Sequence, residues 1–213
     1  FDHAPLGIGS FDWSPDGREL VVVANQDPDA FTKPWKTRLV IVDAKSGRAR
    51  PLPGQTDGMR NGVAWSPDGT LIAFSGTMGR QEVWRAVNQH LFVVDPRTGA
   101  QRCVTEGADV CLESAVLSDT READFMPVFH WTPDSRSICL TAENEGRSDV
   151  FRLRLDGGDP VPLIASGTNG ELQLSRDGRT LVFSRNTLTS PAEDEGGQRV
   201  AAVDLVQALD PAF

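Results

Sequence analysis

Four stretches of this chain share one pattern, and that repetition limits its fold more than any other feature. "FDWSPDGRELVVVAN" begins at Phe11, "VAWSPDGTLIAFSG" at Val63, "FHWTPDSRSICLTA" at Phe129 and "LQLSRDGRTLVFSR" at Leu172. Each opens with two large apolar residues two positions apart: Phe11 and Trp13, Val63 and Trp65, Phe129 and Trp131, Leu172 and Leu174. Spacing of two puts both on one face of a β-strand. A Ser-Pro-Asp-Gly turn follows, in which Pro presets the backbone, Asp bonds locally and Gly tolerates the tight final position. Ser135 replaces the Gly in the third copy, and Arg176 replaces the Pro in the fourth. After the turn comes an apolar run such as Leu20 to Ala24 or Leu71 to Phe74. Its continuity predicts an inner strand covered on both faces.

Each repeat continues with a third strand that ends near an Asp, as in "RLVIVD" at Asp43, "HLFVVD" at Asp95, "VFRLRLD" at Asp156 and "RVAAVDL" around Asp204. Gly-bearing turns then lead, in the first three copies, to the short segments "ARPL", "QRCVT" and "PVPLI", which predict fourth, edge strands. Four antiparallel strands per repeat describe a propeller blade. The starts are 52, 66 and 43 residues apart, which fits blades of about 40 to 50 residues with loop insertions. The expected fold is therefore all-β: a β-propeller portion over residues 1–213, with blades near 11–55, 63–105, 126–165 and 172–207. Two insertions, 25–37 and 75–89, lie between second and third strands, and a third, from about Glu106 to Phe125, precedes the third copy.

The formal net charge of −9 and pI near 4.8 disfavour nucleic acid and anionic membranes as partners. No apolar run reaches the 18 residues of a bilayer span. The chain opens on Phe1 rather than Met, so a signal peptide is not legible. Cys103, Cys111 and Cys139 lack metal-ligand spacing and are expected to be reduced and structural. That suits a cytoplasmic protein, with export as the alternative because Cys103 and Cys111 are close enough in sequence to bridge.

Candidate chemistry is sparse. No G-x-S-x-G nucleophile elbow occurs, and "GIGS" at 7–10 lacks the remainder of a dinucleotide site. His3, His90 and His130 have no metal spacing. No catalytic residue, metal ligand or cofactor site is expected in these blades. The Asp of each turn (Asp16, Asp68, Asp134, Asp177) is expected to bond its own backbone rather than a cation. His130 is expected to be packed or solvated, and Trp35 and Trp84 to pack their insertions.

With the repeats aligned, the chain resembles the propeller of the prolyl oligopeptidase family of serine peptidases, in its acylaminoacyl-peptidase branch. "GRQEVWRAVNQHLFVVD" (79–95), "RCVTEGADVCLESAVLSDTREADFMPVFHWTPDS" (102–135) and "LTAENEGRSDVFRLRLDGG" (140–158) carry the likeness, with "LVFSRNTLTSPAE" and "LVQALDPAF" near the end. The W-S-P-D-G hairpin itself is shared with TolB-like propellers. The resemblance implies that these are the last four of seven or eight blades. It also implies an α/β-hydrolase domain of the same protein, carrying Ser, Asp and His outside this stretch, and a propeller that caps the active site so that only short peptides enter. It points to the connection at 106–125 for substrate contacts, with Glu113, Asp119, Arg121, Glu122 and Asp124 as the candidates: a carboxylate there would pair with a free peptide α-amine, and Arg121 would donate to an acyl carbonyl or a C-terminal carboxylate. "TDGMRNG" (56–62), with Asp57 and Arg60, is the second candidate loop. The competing expectation is a non-enzymatic, TolB-like scaffold for a protein partner. Homo-oligomer formation is left open.

Overall fold

The computed structural model describes residues 10–81, 87–112, 127–186 and 200–204. The contacts divide the chain into two compact units, one to Glu106 and one from Gly107.

In the first unit, strands β1 (Ser10–Trp13), β2 (Glu19–Ala24), β3 (Arg38–Asp43) and β4 (Ala49–Pro51) form an antiparallel sheet in sequence order. Strands β5 (Arg60–Trp65), β6 (Ile72–Gly76), β7 (His90–Val94) and β8 (Gln101–Cys103) repeat that order in a second sheet. Three-residue edge strands match the expected fourth strands. Pro51 and its neighbour Arg50 blunt one edge against further pairing.

The second unit holds β9 (Phe129–Trp131), β10 (Ser137–Asn144), β11 (Arg147–Arg154) and β12 (Val161–Ile164), again antiparallel in sequence order. Strands β13 (Thr168–Leu174), β14 (Thr180–Asn186) and β15 (Val200–Asp204) form the fourth repeat. β13 begins at Thr168, ahead of the expected Leu172, because Thr168, Asn169 and Gly170 already pair with Asn186, Arg185 and Ser184 of β14 ahead of a register irregularity, and Thr168 also makes one parallel pair with Ser148 of β11.

The turns follow the sequence logic closely. Ser14 Oγ donates to Asp16 Oδ1 at 2.7 Å and accepts from the Glu19 N–H at 2.9 Å, while Asp16 Oδ1 also accepts from the Arg18 N–H at 3.0 Å. The same three bonds recur at Ser66 and Asp68, Thr132 and Asp134, and Ser175 and Asp177. These bonds hold all four carboxyl groups below their ordinary range. Each turn Asp is thus a turn-former. The fourth turn position is left-handed, with φ of 69° at Gly17 and 58° at Ser135, so Ser135 adopts a conformation that L residues disfavour.

The apolar runs after the turns are inner strands. Val21, Val22 and Val23 are all buried, as are Ile72, Ala73 and Phe74, and Ile138, Cys139 and Leu140. In the first unit one core spans both sheets, built from Val21, Val23, Leu39 and Ile41 on one side and Val63, Trp65, Ile72, Phe74, Phe92 and Val94 on the other. Each fully buried side chain of this size stabilises the fold by about 1.5–3 kcal/mol. Phe74 and Phe92 are directly paired across β6 and β7, and their rings stack with centroids 5.2 Å apart. The second unit has its own core of Cys139, Val150, Ile164, Leu172, Leu181 and Phe183.

The first strands of adjacent repeats are tied without sharing a ladder. Ser10 Oγ accepts from the Val63 N–H at 3.2 Å and Asp12 Oδ2 from the Trp65 N–H at 2.7 Å, both across 53 residues, so β1 and β5 run parallel. In the second unit His130 donates through Nε2 to the Leu172 carbonyl at 2.6 Å. His130 occupies the same repeat position as Asp12, and it is a strand tie rather than simply packed or solvated.

Candidate functional site

At one end of the first unit three loops converge: the β2–β3 insertion, the β4–β5 connection and the start of the β6–β7 insertion. Alternating strand direction brings all three to the same end of the two sheets. Backbone bonds lock them together, from the Gly58 N–H to the Trp35 carbonyl at 2.8 Å, the Gly79 N–H to the Asp57 carbonyl at 2.8 Å and the Thr77 N–H to the Met59 carbonyl at 3.0 Å. Gly58 is required by the close approach, since a Cβ there would collide with the Thr77 carbonyl oxygen. Pro34–Lys36 forms a 3₁₀ turn, whose compactness brings Lys36 and Arg38 close to the connection. Gln55 fixes that connection by imitating a strand partner, accepting from the Leu39 N–H at 2.7 Å and donating to the Leu39 carbonyl at 2.9 Å.

Asp57 is the centre of this loop end. Its Oδ1 accepts from Arg38 Nη2 at 2.8 Å and Lys36 Nζ at 3.3 Å, and its Oδ2 from Arg80 Nε at 3.3 Å. The Arg38 guanidinium first, then Lys36 and Arg80, outweigh partial burial and bring the Asp57 carboxyl down to about 2. Its side chain keeps 25% of its surface exposed, against 29% for Arg38, 35% for Lys36 and 72% for Arg80. Asp57 is therefore a carboxylate at any physiological pH.

Behind it Arg60 is 1% exposed, and among the described residues its terminal nitrogens bond carbonyls alone: Thr37 at 2.8 Å and Gly58 at 2.9 Å from Nη1, and Thr56 at 3.0 Å from Nη2. Among the described residues its Nε is buried without a hydrogen-bond partner, and its guanidinium lies 5.6 Å from the centre of the Phe74 ring. Burial first, then repulsion from Arg38, pulls Arg60 down to about 10 against the attraction of Asp57. A buried cation without a directly bonded carboxylate raises the local potential. The arrangement can hold a small anion by charge-assisted hydrogen bonds, and among the described residues it offers no nucleophile.

The Cys103 and Cys139 thiols do not supply one. None of Cys103, Cys111 and Cys139 is in a disulfide. Burial raises the Cys103 thiol and pushes Cys139 up to about 11, away from the thiolate that reactivity needs.

Comparison with known proteins bears on the fold and on ancestry. Dipeptidyl-peptidase 5 of Porphyromonas gingivalis is 23% identical over 186 residues, 87% of this chain and 25% of its own length. The uncharacterized peptidase YuxL of Bacillus subtilis is 28% identical over 174 residues, 82% of this chain and 21% of its own. This chain is thus distantly similar to peptidases of the prolyl oligopeptidase family and spans about a quarter of the curated relatives' length. No family model matches. Among solved structures, TolB from Acinetobacter baumannii superposes with a TM-score of 0.64 at 18% identity, over 94% of this chain and 41% of its own. A puromycin hydrolase superposes with a TM-score of 0.63 at 23% identity, over 93% and 27%. These structural neighbours are β-propellers, and the likeness is one of fold.

Of the residues singled out in the sequence, Asp57 and Arg60 are brought together at this loop end. Glu113, Asp119, Arg121, Glu122 and Asp124 lie outside the described residues, as does Trp84. Lys36, Arg38 and Arg80 were not among the sequence candidates. The available signal was the placement of basic residues at the margins of the two insertions, since loops emerging from the same end of adjacent repeats become neighbours.

Proposed function

We propose that these repeats are the propeller region of a serine peptidase of the prolyl oligopeptidase family, in its acylaminoacyl-peptidase branch. In this role they cap the active site of an α/β-hydrolase domain of the same polypeptide and admit only short peptides. The observation that carries the proposal is sequence similarity to dipeptidyl-peptidase 5 over 87% of the chain, combined with that relative's much greater length. The parallel ties between first strands support a propeller, because neighbouring blades place their first strands side by side in that orientation.

The face of β1 supports a further blade packed against the first sheet. Phe11 and Trp13 are 58% and 50% exposed, whereas their counterparts Val63 and Trp65 are 8% and 7% exposed and pack in the core shared with the first sheet. A preceding blade would cover Phe11 and Trp13 as the first sheet covers Val63 and Trp65.

A second reading, a non-enzymatic scaffold of the TolB kind, draws on the TolB superposition over 94% of the chain. Size-dependent hydrolysis distinguishes them. The full-length polypeptide is expected to cleave acylated dipeptides and short peptides but not a folded protein bearing the same terminal sequence. Absence of hydrolysis on every substrate favours the scaffold. Equal cleavage of short peptides and the folded protein removes the capping role.

A further inference from the structure

The loop end around Asp57 holds more positive charge than its own carboxylates neutralise. In the neighbouring part of the β2–β3 insertion, Asp27 and Asp29 are engaged by Lys33 at 3.1 and 2.8 Å, and Lys36 lies within electrostatic reach of Asp27. Among the described residues, Lys33, Lys36, Arg38, Arg60 and Arg80 therefore face only Asp27, Asp29 and Asp57, an excess of two positive charges in a chain of net charge −9. Local positive charge against a negative background concentrates anions at that point.

The cluster is also held in place before any ligand arrives. Arg60 is fixed by three backbone carbonyls and keeps a buried, unpartnered Nε. Asp57 aligns Lys36, Arg38 and Arg80, and the three loops beneath them are joined backbone to backbone. Such preorganisation reduces the entropy lost on binding. Guanidinium groups beside an ammonium suit a small planar anion that accepts two hydrogen bonds, which is the chemistry of a carboxylate.

We infer that Lys36, Arg38 and Arg80, oriented by Asp57 and backed by Arg60, form a binding subsite for a peptide carboxylate. The inference rests on the peptidase proposal for its ligand class, and it extends substrate recognition beyond the 106–125 connection to the first two blades. The carboxylate has two possible sources, the peptide C-terminus or an acidic side chain.

The test is calorimetric titration of the full-length polypeptide, with its nucleophile replaced by Ala if fluorophosphonate labelling identifies one. Three N-acetylated alanine tetrapeptides are used: the free acid, the C-terminal amide, and the amide with Glu at the third position. The free acid is expected to bind about tenfold more tightly than the plain amide, a difference of about 1.4 kcal/mol. The preference is expected to fall with added salt and to drop below about threefold in the double variant Lys36→Gln and Arg80→Gln. Tight binding of the Glu amide alone assigns the subsite to acidic side chains. Equal binding of all three peptides, or a preference unchanged in the double variant, overturns the inference. Because titration reads binding without turnover, failure of the subsite is distinct from failure of the peptidase proposal, which would appear as absence of fluorophosphonate labelling.

Discussion

The Asp12 carboxylate accepts a hydrogen bond from the backbone N–H of Trp65 at 2.7 Å, joining the first strands of two successive repeats across 53 residues. Its other oxygen accepts from the Trp13 N–H at 2.8 Å, so one short side chain serves two backbone donors. Replacing it by Ala leaves the Trp65 N–H without this acceptor, at a cost of about 1–3 kcal/mol. Asp12→Ala is expected to accelerate amide exchange at Trp65 by at least about fivefold, since 1.4 kcal/mol corresponds to about tenfold. Unchanged exchange would show that the tie carries no load.

The Asp57 carboxyl gives a signed pH dependence. Its folded value is about 2, against an ordinary 3.8, so the stabilisation it confers is present above the ordinary value and is lost as pH falls toward the folded one. The difference in urea midpoint between the wild type and Asp57→Asn is expected to be constant from neutral pH to about 5 and to shrink between about 4 and 2. A difference that persists unchanged to pH 2 would contradict the ion-pair account.

Two glycine substitutions separate backbone strain from collision. At Gly17, with φ of 69°, an added Cβ meets nothing within 4 Å, so Gly17→Ala is expected to cost only about 1–2 kcal/mol of conformational strain. At Gly58 the same methyl would strike the Thr77 carbonyl oxygen. Gly58→Ala is therefore expected to displace the connection and weaken the Arg38–Asp57 contact. Nuclear magnetic resonance titration of Asp57 reads that change as a rise toward 3.8, and an unmoved value would argue against the close approach.

Arg60 is a structural cation. Arg60→Met removes the donors to Thr37, Gly58 and Thr56 while keeping much of the apolar stem, and is expected to destabilise the first unit by about 3 kcal/mol or more. Thermal unfolding monitored by tryptophan fluorescence checks this. A loss below about 1 kcal/mol would mean that water replaces the guanidinium at those carbonyls.

Strand order, turn chemistry and the inner strands were legible because they depend on local rules: spacing of two, a Ser-Pro-Asp-Gly turn and an uninterrupted apolar run. The same rules placed the edge strands at Ala49–Pro51, Gln101–Cys103 and Val161–Ile164. The role of His130 was not legible, because its acceptor, the Leu172 carbonyl, belongs to the next repeat and carries no side-chain signal. The loop-end cations were only half legible. Asp57 and Arg60 lie in one short connection, but Lys36, Arg38 and Arg80 reach them from two other loops through backbone geometry that no motif encodes.

The most direct test of the central claim is the denatured mass of every chain in the purified full-length protein, before and after treatment with a serine-directed fluorophosphonate. The peptidase account expects a polypeptide containing these repeats, or a chain that copurifies with them, to gain the mass of one phosphonyl group. If every chain retains its original mass, under conditions in which a control serine hydrolase is fully labelled, the peptidase account is contradicted and the TolB-like scaffold stands in its place.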